Sequence, residues 1–116
     1  MGNIAINGAV TLVNGSDSLQ RQFGGSFDLS GVPRKSTVES IGTTEENISL
    51  GDVSAVGFIL IRNLDNTNFI TVGTVTNQRG MKFLPGESYP FRAANNALFI
   101  KADTAACNVA IDIFSA

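Results

Sequence analysis

Apolar and polar residues alternate with a period of two along most of this chain. Between residues 3 and 13, Ile4, Ile6, Val10 and Leu12 share one parity while Asn3, Asn7 and Thr11 hold the other, as in a strand with one apolar face. Asn7-Gly8 either breaks that run into a hairpin through a type I′ turn or lies in one long strand carrying a bulge. "NGSDS" at 14–18 ends it. In "ACNVAIDIF", Cys107, Val109, Ile111 and Ile113 point one way and Asn108, Ala110 and Asp112 the other. In "VGFILIRNL" both parities are apolar, which predicts a central strand covered on both sides, with Arg62 near its end.

Turn signals punctuate the chain from residue 36 onward: "GTTEEN", "LGDVS", "LDNTN", "NQRG", "LPGES", "AANN" and "DTAA". Strands are expected between them, at 36–41, 47–50, 56–63, 68–75, 81–84, 88–92, 98–102 and 106–114. Many short strands separated by Gly, Pro and Asn turns predict an all-β fold. The expected architecture is an antiparallel β-sandwich, jelly-roll-like or Ig-like, in a single domain spanning 1–116. Pro85 and Gly86 suit a type II turn, expected to return Met81 and Phe83 antiparallel to Tyr89 and Phe91. Thr43-x-x-Glu46 has capping-box spacing, but Ser49, Gly51 and Asp52 follow it instead of an apolar helical stripe.

Residues 19–35, "LQRQFGGSFDLSGVPRK", read as the irregular part, with Gly24-Gly25 and Ser30-Gly31-Val32-Pro33 as breakers. A long loop or arm with one short strand around Phe27 to Leu29 is expected there. Loops of that length are uncommon in compact domains, and are either functional or rest on a neighbour. Phe23, Phe27 and Leu29, with Arg34 and Lys35 beside them, are therefore the interface candidates. The alternative is that Phe27 and Leu29 plug one end of the sandwich.

Charged residues form 16% of the chain, below the roughly 25% of ordinary soluble domains. Either Ser, Thr and Asn cover the surface, or part of it is buried in an assembly. The net charge is -2 and the basic residues are scattered, which argues against nucleic acid as a partner. No apolar run is long enough to span a bilayer as a helix, and the first residues lack the pattern of a signal peptide, so manufacture in a cytoplasm is expected. The lone cysteine, Cys107, allows no intrachain disulfide and reads as a small core residue.

Histidine is absent, which removes Ser-His-Asp and Cys-His catalysis and histidine metal sites. Glu45 and Glu46 are adjacent carboxylates, read as solvated loop charges rather than an acid/base pair. Asp65, Asn66 and Asn68 in "NLDNTN" offer hard oxygen ligands for calcium, but the same residues are the ordinary chemistry of tight turns, and the turn is favoured. No catalytic residue and no cofactor is expected.

"ISLGDVSAVGFILIRNLDNTNFITVG", "MKFLPGESYPF" and "LFIKADTAACNVAIDIF", taken in order over residues 48–114, resemble small bacteriophage virion structural proteins. The resemblance implies a β-sandwich that is part of a particle: a head decoration or cement protein, or a tail-associated one. It implies other virion proteins as partners, the major capsid protein first among them, with a homo-oligomer, a trimer favoured, located in the virion. A carbohydrate-binding module is the alternative of another class, disfavoured because the chain has no Trp and only Tyr89 to stack on sugars.

Overall fold

The computed structural model describes residues 3–28 and 34–115. The strands are β1 (Asn3–Asn14), β2 (Asp17–Asp28), β3 (Arg34–Ile41), β4 (Glu46–Asn47), β5 (Val56–Asn63), β6 (Ile70–Gly73), β7 (Met81–Phe83), β8 (Ser88–Arg92), β9 (Phe99–Ala102) and β10 (Cys107–Ser115). The chain divides into two compact units, residues 1–30 and 31–116.

The first unit is one antiparallel hairpin, β1 against β2, paired without a break from Asn3↔Asp28 to Asn14↔Asp17. Asn7-Gly8 is therefore neither a turn nor a bulge. The reversal falls at Gly15-Ser16, where Gly15 takes φ 60° and opens a two-residue turn of the kind that favours glycine at its first position. Of the irregular arm expected over 19–35, residues 19–28 lie instead in a full strand, β2, residues 29–33 are outside the described residues, and Arg34 and Lys35 open β3. Gly24 and Gly25 do not end β2, because both sit inside the ladder opposite Asn7 and Ile6.

In the second unit two four-stranded antiparallel sheets form, ordered β3-β10-β5-β8 and β4-β9-β6-β7. Only β6 and β7 are consecutive strands that lie side by side; at the other connections the chain changes sheet. This order is that of an eight-stranded jelly roll. It separates the two sandwich topologies the sequence allowed.

The core follows from the alternation. Cys107, Val109, Ile111 and Ile113 on β10 are buried, as are Ile59 and Ile61 on β5. Ile70, Val72, Phe83, Ile100 and Ala102 meet them from the other sheet. Each fully buried isoleucine contributes roughly 1.5–3 kcal/mol. The other parity of β5 is less covered than its composition predicts: Phe58 and Leu60 are half-buried and Arg62 is exposed.

Asn63, wholly buried at the end of β5, organises the connections at this end. Its Nδ2 donates to the carbonyls of Asn68 (3.0 Å) and Phe83 (3.1 Å), and its Oδ1 accepts from the Asp65 amide (3.0 Å). Its backbone N–H donates to Glu87 O at 2.9 Å, and its carbonyl accepts from the Gly86 amide at 3.0 Å. Asp65 Oδ2 in turn accepts from the amides of Thr67 and Asn68. "LDNTN" is thus a crossing between sheets.

"LPGE" is a second crossing. The Glu87 amide donates to Leu84 O at 3.0 Å and Gly86 has φ 81°, which is the type II turn expected. The strands on either side do not pair, however: β7 lies against β6, and β8 against β5. The expected return of Met81 and Phe83 onto Tyr89 and Phe91 is thus replaced by a change of sheet, because the turn geometry is local whereas the strand partners are not.

Replacing Asn63 by Leu keeps the volume but leaves two carbonyls and an amide without their partners. The expected loss is about 2–4 kcal/mol, read as a lower urea midpoint at unchanged slope; a loss under about 0.5 kcal/mol would show that these groups find other partners. Asp65 gives a pH-dependent contribution. Its hydrogen bonds from Asn68 and Thr67 hold the carboxyl below its ordinary 3.8. A depressed folded value stabilises the protein above the unfolded one, and the gain is lost as pH falls through the folded value. Urea melts between about pH 6 and pH 2 should show the gap between wild type and Asp65→Asn closing at the acid end.

Candidate interaction surface

The hairpin β1–β2 sorts its side chains sharply. Opposed residues share a face, so the register stacks Ile4–Phe27, Ile6–Gly25, Gly8–Phe23, Val10–Arg21, Leu12–Leu19 and Asn14–Asp17 in successive rows on one side. The reverse side carries Asn3, Asn7, Thr11, Ser18, Gln20, Gln22, Ser26 and Asp28, with Ala5, Ala9 and Val13. None of the described residues 3–28 is buried. Toward the turn the apolar face is open: Val10 is 61% exposed, Leu12 44%, Leu19 41% and Phe23 48%.

Two glycines shape this ribbon. A Cβ at Gly8 would lie 2.1 Å from Cζ of Phe23, so the ring rests across the Gly8 backbone. Gly24 has φ 143°, and a Cβ there would fall 1.9 Å from the Ile6 carbonyl oxygen. Only glycine permits that approach. Gly25, by contrast, has nothing within 4 Å of a Cβ.

The five interface candidates do not form one cluster. Phe23 and Phe27 stand on the apolar face of the hairpin, on β2. Leu29 lies outside the described residues. Arg34 and Lys35 open β3 in the other unit, opposite Phe114 and Ile113. Lys35 Nζ donates to Ser49 O at 2.6 Å, which makes it a clasp between β3 and the segment after β4. Val10, Leu12 and Leu19 are the surface residues that sequence reasoning missed. Their signal was present: Leu19, Phe23 and Phe27 recur at even spacing, and the Gly-Gly pair hid it.

Glu45, Glu46 and Asp65 hold loops together. Glu45 pairs with Arg79 and accepts from Thr76 Oγ1 (2.9 Å) and the Asn77 amide (2.8 Å). Desolvation raises its pKa, but these partners outweigh it and hold the carboxyl below its ordinary value. Glu46 Oε2 accepts from the Gly42 amide at 2.6 Å. Asn68 Oδ1 is taken by Thr104 Oγ1 at 2.7 Å, so Asp65 and Asn68 spend oxygens on the crossing. Among the described residues no three His, Cys, Asp or Glu side chains gather as metal ligands would. Cys107 is buried, and burial, followed by Asp65 and Asp103, pushes its thiol pKa up.

No family model matches the chain, and neither a curated protein nor a solved structure matches it.

The two glycines of β2 should respond oppositely to a methyl group. Gly24→Ala forces strain of about 1–3 kcal/mol and should lower amide-exchange protection across residues 3–28 by one to two orders of magnitude. Gly25→Ala should leave protection within about twofold or raise it, since it only restricts the unfolded chain. Equal effects of the two substitutions would contradict the register.

Proposed function

We propose that this chain is a non-catalytic structural protein of a bacteriophage particle, with a head decoration or cement role first and a tail or fibre role second. In this reading the jelly roll is the rigid body and the β1–β2 hairpin docks on neighbouring virion proteins, the major capsid protein above all. One observation carries it: a two-stranded ribbon with an exposed apolar face and no buried residue among 3–28. Such a ribbon is marginal alone in water, because two strands cannot enclose a core. Large exposed apolar patches mark association surfaces.

Two further points support the reading. The motifs of residues 48–114 resemble those of small virion proteins, and the jelly roll is a fold that capsid proteins use, though this last support is analogy from fold alone. The low charge fraction of 16% fits a chain that spends part of its surface on contacts.

Cosedimentation with empty heads and with tails of the phage that encodes the chain tests this. Full-length protein should bind one of the two, and Leu12→Asp should weaken binding at least about tenfold, since a charge replaces a contact side chain. The melting of the jelly roll should serve as the folding control. Absence of binding to every part of the particle would overturn the proposal, and specific retention on a glycan array instead would favour a carbohydrate-binding module.

A further inference from the structure

We propose that the hairpin tips of two copies of this chain pair face to face about a two-fold axis, with Asp17 of each copy against Arg21 of the other. This deepens the assembly reading and rests on it in taking the hairpin as the docking element: the second copy is one of the neighbouring virion proteins on which that face docks.

The register carries the argument. On the open face, the Leu12–Leu19 row is flanked by Val10–Arg21 on one side and Asn14–Asp17 on the other. Successive rows on one face are two residues, about 7 Å, apart. Arg21 and Asp17 are thus opposite charges on the same strand, equidistant from the leucine row. A two-fold axis through that row, lying between the ribbons and perpendicular to the strands, reverses each strand and sets β2 over β2. Asp17 then lands over Arg21 twice, and the leucines meet their own copies at the centre. The patch is self-complementary, as an isologous contact requires.

The exposure agrees with this centre. Val10, Leu12 and Leu19 are all exposed, and among the described residues Arg21 donates from Nη1 to the neighbouring Gln20 carbonyl, at 3.0 Å, which leaves further guanidinium donors for a carboxylate. Packed sheets stand about 10 Å apart, a gap that an arginine and an aspartate reaching from opposite sides can close. The apolar row supplies attraction and the two charge pairs supply orientation.

The contact is small. A ribbon tip of about 20 Å by 10 Å covers well under the roughly 800 Å² per partner of a stable interface. Free chains therefore pair weakly and reversibly. Repetition of the contact within an assembly multiplies its effect.

Charge reversal tests the pairing on full-length protein by sedimentation velocity over a concentration series. Wild type should self-associate, more weakly as salt rises. Asp17→Arg and Arg21→Asp, each confirmed as folded by their hairpin amide spectra, should each self-associate about tenfold more weakly, because both contacts become repulsive. A mixture of the two variants should recover to within about threefold of wild type, since each then supplies the charge the other lacks. Monomeric wild type at about 1 mM, far above any useful affinity, single variants that associate like wild type, or a mixture that fails to recover would each overturn the pairing. Such a failure with Leu12→Asp still blocking particle binding would leave the docking role intact. Recovery in the mixture without particle binding would overturn the virion reading alone.

Discussion

The buried carboxamide of Asn63 is the interaction on which the arrangement of the jelly roll depends. A polar side chain inside an apolar core is tolerated only when its donors and acceptor are satisfied together. Here they are satisfied by the end of β7 and by the crossing that leaves β5, while its backbone engages the "LPGE" turn. Two departures from one sheet to the other are thereby fastened to a single residue. The third crossing at this end joins through Thr104, bonded to Asn68, and through the Asp103 amide on Phe69 O. Apolar burial supplies most of the stability of the two sheets, but it is non-directional. The Asn63 network is directional, and discriminates this crossing geometry from others that would bury similar area.

The hairpin obeys the opposite constraint. It has ladder hydrogen bonds along its whole length, but the described residues 3–28 form a single two-stranded layer in which no residue is buried. A two-stranded layer of this kind is marginal in water by itself. The sequence moderates the hazard of such a surface: Arg21 interrupts the apolar face, and the reverse face is rich in Asn, Gln and Ser. Gly8 and Gly24 fit the ribbon to its own side chains, the first by receiving the Phe23 ring and the second by admitting the Ile6 carbonyl.

Much of the fold was legible. The strands at 56–63 and 88–92 have the predicted limits, β10 has the predicted inner face, and the type II turn at Pro85-Gly86 forms as its residues require. The candidate surface was only partly legible. Phe23 and Phe27 were singled out as part of an arm, but the strand that carries them was hidden by Gly24-Gly25, because glycine is the residue both of loops and of close backbone approach. Asn63 escaped notice because its side chain bonds to carbonyls five and twenty residues away. Asp65 is legible because its partners are two and three residues away.

The sequence by itself determined what is local: the period-two alternation that makes strands such as β1 and β10, the inner face of β10, and the turn geometry that Pro85, Gly86 and Asp65 impose. Only the tertiary structure decided which strands lie side by side. A type II turn between β7 and β8 has the same chemistry whether its strands pair or part for different sheets, and strand partners are chosen by contacts far apart in the chain. The same holds for the hairpin, where the parity of each strand, Asp17, Leu19 and Arg21 together on β2 included, exists in the sequence, but which β1 side chains join them on that face appears only once the register sets one strand against the other.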